Sequence, residues 1–336
     1  MQTAKQQISN GDTEQPRTGV SLRGLAQVAV GIGALALVVM KADARGLADS
    51  LRNTRVIYLP VAVAASFVVT WLMAYRWGTI LAAKGSRFKT SRLFAYYLVG
   101  VFFTSFVPGG GVSGDVARLI YVDREVRDKA LVLSTLVYER LIGVFTLLLI
   151  GLVATLMTRA YGQADPMIYI SEAVLGIAFA AIVVLMSGYV SSLLARMIRS
   201  TGRRIRAVRI ADAAARTLEA VTELRMDWVL LARTALISVV IRIVWGLGCF
   251  VVAIAMGLPL DLLTVFAFIS LIDLVRLMPI SVGGLGVREW AVVALFTTVG
   301  ITREQALTFS ILAFAPIYLN AIVGGIVYIL RARISY

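Results

Sequence analysis

The chain has no histidine and only one cysteine, Cys249, among 336 residues. Without His there is no imidazole general base and no His-based zinc or iron centre. With one Cys there is no disulfide within the chain. Lysine is scarce too: only Lys5, Lys41, Lys84, Lys89 and Lys129 stand among 33 basic residues, and the rest are Arg. Charged residues of all kinds make up just 15% of the chain. No G-x-x-x-x-G-K-[ST] run is present, so the sequence offers no ATP-binding loop. Neither a cofactor nor a metal is expected.

What is present is apolar. The chain is 59% hydrophobic with a mean hydropathy of +0.86, against roughly 45–50% apolar residues in soluble domains. Apolar segments fall at about 22–40, 56–83, 90–107, 129–158, 168–190, 228–256, 262–278, 287–299 and 305–330. Several exceed the ~18 residues that mark a membrane span. The expected fold class is an all-α, polytopic membrane protein with about six full spans and up to eight. Residues 1–19 are polar and read as a disordered cytoplasmic tail, with the first span as an uncleaved anchor.

Two glycine-rich breaks interrupt the apolar runs: Pro108-Gly109-Gly110-Gly111-Val112-Ser113-Gly114-Asp115 and Pro279-Ile280-Ser281-Val282-Gly283-Gly284-Leu285-Gly286. Hydrocarbon does not tolerate unpaired backbone groups, so such breaks must be shielded by protein or line a cavity. After the first break only a short piece, about 113–121, precedes the charged stretch 123–129. A nine-residue helix rises only ~13 Å, well short of a ~30 Å hydrocarbon core. A re-entrant hairpin over 90–121 is therefore expected.

Charge counting supports that topology. A hairpin entering and leaving on one face places 21 basic residues on the cytoplasmic side and six (Lys41, Arg45, Arg52, Arg55, Arg159, Arg303) on the other, as the positive-inside rule requires. Both termini are then cytoplasmic and the expected location is the plasma membrane. From Val56 to Pro108 and from Trp228 to Pro279 the spacing is nearly equal, and two extra spans lie between the halves. The sequence thus predicts an inverted repeat with two re-entrant hairpins, an arrangement that transporters use to build a midplane site. The expected divisions are 20–190 (half one with extra spans), 191–227 (a basic, amphipathic cytoplasmic segment suited to anionic lipid headgroups) and 228–336 (half two). The basic surplus points to membrane headgroups and not to nucleic acid.

Charges at membrane depth default to function. The candidates are Arg76, Asp115, Arg118, Glu139, Arg140, Arg242, Asp273, Arg276, Arg288 and Glu289. Asp115/Arg118 and Asp273/Arg276 are i,i+3 pairs. Six arginines face four acids, and a pocket with surplus Arg invites an anion, in a membrane a lipid phosphate. The glycines Gly109, Gly110, Gly111, Gly283, Gly284 and Gly286 let backbone N–H groups approach such a group, and Ser113 is placed to cap a short helix. Arg118 and Arg288 are expected to hold the phosphate, with Arg140 and Arg276 as second candidates. Asp115, Glu139, Asp273 and Glu289 would orient them or recognise a cationic headgroup. Arg76 and Arg242 also suit snorkelling near a span end, and Tyr96, Tyr97, Phe102, Phe103 and Phe106 suit packing.

At the residues 108–118, at Tyr138-Glu139-Arg140-Leu141-Ile142-Gly143 and at 279–289, the chain resembles the flippase-like transmembrane domain of lysylphosphatidylglycerol synthases over about residues 20–332. The resemblance implies an integral membrane protein of the lipid-translocating type, acting on a membrane phospholipid or a polyprenyl-linked lipid. The soluble aminoacyltransferase domain of those synthases is not expected here, so lysyl-lipid synthesis is not expected either. The leading expectation is a non-enzymatic lipid flippase or scramblase. The alternatives are a non-transporting subunit of an envelope lipid or glycan synthesis complex, and a lipid-phosphate-dependent membrane transferase.

Overall fold

The computed structural model describes residues 33, 40, 43–108, 111–161, 166–185, 196, 197, 227–278 and 281–334. The expected tail (1–19), most of the first span (22–40), Gly109 and Gly110, and most of the basic segment (191–227) lie outside the described residues.

Ten helices follow: α1 Ala44–Arg52, α2 Leu59–Ala83, α3 Thr90–Phe106, α4 Gly111–Val126, α5 Lys129–Ala160, α6 Pro166–Leu185, α7 Trp228–Ala255, α8 Leu262–Leu277, α9 Val287–Phe296 and α10 Arg303–Ile334. The described residues form no strand, and the chain is an all-α polytopic membrane protein. Among the described residues, six helical stretches are long and apolar enough to cross a membrane: Val56–Ala83, Lys129–Ala160, Pro166–Val184, Trp228–Ala255, Val282–Val299 and Arg303–Arg331. Five of them match expected spans. The sixth, Val282–Val299, contains the return arm expected after the second break, and it is not one smooth helix. A 3-10 turn at Val282–Gly284 leads through Gly286 into α9. Gly283, Gly284 and Gly286 have φ of 61°, 77° and 80°, the left-handed region that side chains with a Cβ avoid.

Asp side chains start several helices. Asp43, Asp128, Asp227 and Asp261 each accept backbone N–H bonds at the N-cap of α1, α5, α7 and α8, which satisfies donors that a helix start leaves open. The segment 41–55, read from sequence as a loop, thus contains a capped helix, α1, whose Asp43 N–H donates to Glu304 at the start of α10.

Two departures concern the first break. Helix α4 has 16 residues, not the nine expected. It runs on through the charged stretch because Glu125 is held there: Arg92 Nη1 lies 2.8 Å from Glu125 Oε2, and Tyr96 OH donates to Glu125 Oε1 at 3.0 Å. Those contacts join the start of α3 to the end of α4, so the two helices form an antiparallel hairpin. At ~24 Å for 16 residues the return arm still falls short of a ~30 Å core. The second departure is Ser113. Its Oγ donates to the Phe103 carbonyl at 3.0 Å and so ties α4 to the last turn of α3.

The helices pack across the sequence halves. α2 lies along α7, α3 against α10, and α8 against α5. α2 and α7 are antiparallel, since Arg55 N donates to the Ala255 carbonyl while Arg233 donates to Tyr75 OH. α3 and α10 are antiparallel as well, with Arg331 over Tyr96 at one end and Phe106 beside Tyr318 at the other. Two glycines set close crossings between the halves. A Cβ on Gly324 of α10 would stand 1.9 Å from the Leu98 carbonyl of α3, and one on Gly151 of α5 would stand 2.6 Å from Ser270 Cβ of α8. A largely apolar core fills the second half, with Phe268, Phe296, Phe309 and Phe314 all fully buried.

Candidate functional site

A cavity of about 330 Å³ opens midway along the long helices. α2 supplies Ser66 and Thr70, one turn apart and so on one face. α7 supplies Arg242 and Trp245, α10 supplies Tyr318 and Asn320, and α5 supplies Arg140. Both hairpins reach it, the first with Ser105 and Gly111, the second with Leu277 and Gly283. The two turns also touch each other, because a Cβ on Gly283 would lie 3.0 Å from the Ser105 carbonyl. Asn320 Nδ2 donates to Ser66 Oγ at 2.5 Å and closes α10 onto α2. Pro316, one turn earlier in α10, carries no N–H for the helix ladder at this depth.

The charge of the wall is lopsided. Arg140, Arg242, Arg276 and Arg288 line the cavity against a single carboxylate, Asp273. Asp273 is shared: Arg276 Nη1 lies 2.8 Å from Oδ1 and Arg242 Nη1 lies 3.1 Å from Oδ2. Arg242 also donates to the Gly143 carbonyl at 3.3 Å. Arg276 and Arg288 stack on the same ring, with guanidinium carbons 4.8 and 4.6 Å from the centre of Phe314. A desolvated cation–π contact of this kind stabilises by about 2 kcal/mol. Arg288 pairs with Glu289, whose other oxygen accepts the Gly286 N–H at 2.7 Å and so caps α9. Four wall residues keep a buried polar atom without a hydrogen-bond partner among the described residues: Trp245 Nε1, Arg276 Nε, Tyr318 OH and Asn320 Oδ1. Native interiors rarely leave such groups open.

A second network lies beside the cavity and is closed except at Arg76 Nε, which has no hydrogen-bond partner among the described residues. Glu139, 2% exposed, accepts from Arg76, from Arg118 and from the Tyr97 hydroxyl. Arg118 also pairs with Asp115 and sits over the rings of Tyr97 and Trp77 at 4.1 and 5.1 Å. Arg76 adds a 2.7 Å bond to Ser238 Oγ on α7. Arg140 joins the network to the cavity, since it pairs with Asp115 and its guanidinium lies where a side chain on Gly111 would be. Arg140 and Asp115 also rim an apolar crevice of about 210 Å³ between α4 and α5, walled by Val112, Val116, Leu133 and Val137 among others.

Of the residues singled out from sequence, Gly111, Arg140, Asp273, Arg276, Gly283 and Arg288 line the cavity. Asp115, Glu289 and Gly284 stand directly behind that wall, the last packed on the Arg276 side chain. Arg118 and Glu139 belong to the closed network and do not line the cavity. Gly286 and Ser113 shape the turns. Arg242 was visible as a charge at depth but was left off the expected site, and its contact with Asp273 places it there. Ser66, Thr70 and Asn320 were visible only as polar residues inside apolar runs, and Trp245 gave no signal.

The family model described as lysylphosphatidylglycerol synthase TM region matches residues 24–324. The chain belongs to this family. All three motifs and every residue lining the cavity fall within the matched range of this synthase TM region. Among curated proteins, the chain is similar to a UPF0104 membrane protein of Methanothermobacter thermautotrophicus, 19% identical over 299 residues, which cover 83% of this chain and 87% of that one. No solved structure matches. Membership makes the protein an integral, multi-pass membrane protein of the lysylphosphatidylglycerol synthase TM region family.

Proposed function

We propose that the protein is a lipid flippase or scramblase that moves a lipid with an anionic or phosphate-bearing headgroup between leaflets. The observation that carries this reading is the cavity at mid-depth, where four arginines face one shared carboxylate and two hairpin turns meet. Anions are bound most strongly by such charge-assisted donors in a low-dielectric site. Family membership is in keeping with a role toward membrane lipids. A transporter is favoured over a transferase, for which the 41–55 segment would have to supply a carboxylate: Asp43 there caps α1.

In this reading the two hairpins are re-entrant and the halves α2–α5 and α7–α10 form an inverted repeat. Their mutual packing supports it, since α3 meets α10 as α8 meets α5. The glycine crossings support it too, as each joins a residue about two thirds along the long helix to one midway along the hairpin arm. The end of the bundle with Arg92, Arg124 and Arg331 is cytoplasmic by the positive-inside rule, and the membrane is the plasma membrane. Divisions at 20–190, 191–227 and 228–336 follow from this topology.

The test is leaflet exchange of a fluorescent phosphatidylglycerol in proteoliposomes, read by quenching of the outer leaflet. Wild-type protein is expected to accelerate exchange, and Arg276→Gln with Arg288→Gln to abolish it while the protein stays monodisperse. Wild-type exchange in the double variant, or none in the wild type, overturns the reading.

A further inference from the structure

We infer that the cavity is built for a lipid headgroup that carries a phosphate dianion and no ammonium, so that an aminoacylated phospholipid is a poor ligand. This deepens the transport reading and rests on it only for the claim that the bound lipid moves.

Charge balance is the first argument. The two linked networks contain Arg76, Arg118, Arg140, Arg242, Arg276 and Arg288 against Asp115, Glu139, Asp273 and Glu289, a surplus of two positive charges. Uncompensated charge away from water is strongly unfavourable. A dianion restores neutrality, a monoanion leaves one charge over, and a net cation worsens the balance.

The second argument is that no carboxylate is left for an ammonium. Both oxygens of Asp273 are taken by arginines, as are both of Asp115. Glu289 is shared between Arg288 and the Gly286 N–H. The open wall atoms are weighted toward donors: Trp245 Nε1–H and Arg276 Nε–H are buried and have no acceptor among the described residues, Tyr318 OH can donate or accept, and Asn320 Oδ1 is an open acceptor that carries no charge. Phosphate oxygens are acceptors only, whereas an ammonium is a donor only.

The third argument selects a lipid over soluble phosphate. Arg140 lines the cavity and also rims the apolar crevice between α4 and α5. A headgroup on Arg140 therefore has an acyl-chain groove directly beside it. We assign that crevice to an acyl chain of the same lipid.

The test is calorimetric titration of the full chain, in phosphatidylcholine nanodiscs, with dioctanoyl phosphatidic acid, dioctanoyl phosphatidylglycerol and dioctanoyl lysylphosphatidylglycerol. At pH 8 affinity is expected to fall in that order, by about tenfold at each step, since tenfold corresponds to only ~1.4 kcal/mol. Lowering the pH to 5.5 should remove most of the advantage of phosphatidic acid, because a phosphomonoester loses its second charge near a pKa of about 6. Phosphatidylglycerol binding should not change. Arg276→Gln should weaken phosphatidic acid more than phosphatidylglycerol, and Trp245→Phe, which removes the N–H together with part of the ring, should do so to a smaller degree.

Equal or tighter binding of lysylphosphatidylglycerol, or a pH-independent preference for phosphatidic acid, overturns the inference. Inorganic phosphate binding as tightly as phosphatidic acid overturns the assignment to a lipid. The expected order of binding without leaflet exchange in proteoliposomes would sink the transport reading alone. Exchange that favours lysylphosphatidylglycerol would sink the headgroup inference alone.

Discussion

Glu139 and Asp273 are both buried carboxylates that hold two arginines, yet they do opposite things. Glu139, in the first half, adds the Tyr97 hydroxyl to its partners and faces no cavity, and its arginine Arg118 is sandwiched against aromatic rings. Asp273, in the second half, stands in the cavity wall, and its arginine Arg276 keeps an open N–H. The same pairing of residue types therefore clamps helices in one place and displays cations in the other. An open donor does not separate them, because Arg76 on Glu139 keeps a buried Nε without a partner just as Arg276 on Asp273 does. What distinguishes them is whether the pair lines the cavity, and how deeply its members are buried. Counting charges cannot reveal that.

Glu139→Gln is the harshest way to test the difference. It leaves Arg76 and Arg118 buried without their shared anion, and breaking such a buried group costs about 3–5 kcal/mol. The melting temperature in detergent is expected to collapse, whereas Asp273→Asn should cost clearly less because the side chains of Arg242 and Arg276 are 19% and 23% exposed, against 6% and 10% for Arg76 and Arg118. Equal losses would erase the distinction.

Gly324→Ala comes next. Its Cβ would collide with the Leu98 carbonyl, a backbone atom, and overpacking of this kind costs about 1–3 kcal/mol. Gly151→Ala meets a serine side chain instead and should be milder in the same melting assay. A reversed order would show that the α5–α8 crossing is the tighter of the two.

Arg276→Gln is expected to cost less stability than Glu139→Gln, and to slow leaflet exchange by the folded protein about tenfold, equivalent to ~1.4 kcal/mol in the barrier. Arg118→Gln should do the reverse, lowering the melting temperature first. Tyr97→Phe is the gentlest change: one hydroxyl donated to Glu139 is lost, at about 1 kcal/mol, with exchange by the folded protein unchanged.

Much of this architecture was legible in the residues. Long apolar runs marked five of the spans, and the Pro-Gly breaks marked where hairpin arms end, because few other residues adopt the backbone that Gly283, Gly284 and Gly286 show. The length of α4 was not legible. Asp123 and Glu125 look like the end of a membrane segment by composition, and only the tertiary contact of Arg92 and Tyr96 with Glu125 lets the helix continue. The site was half legible for a similar reason. Arg276 and Arg288 stood out as charges beside the second break and Arg140 as a charge inside an apolar run, and all three line the cavity. Arg118 stood out equally, but its fate depends on Tyr97 and Trp77, which reach it from α3 and α2. Trp245 and Asn320 come from helices distant in sequence, and no local pattern assigns them.

The glycine crossings bear on how the molecule can move. Gly324 presses α10 onto the backbone of α3, and Gly151 presses α5 onto α8. Each hairpin is therefore fastened to a long helix contributed by the other end of the chain. Parting the first half of the chain from the second would break both crossings at once. The two hairpins themselves meet at Ser105 and Gly283, in the wall that the arginines share.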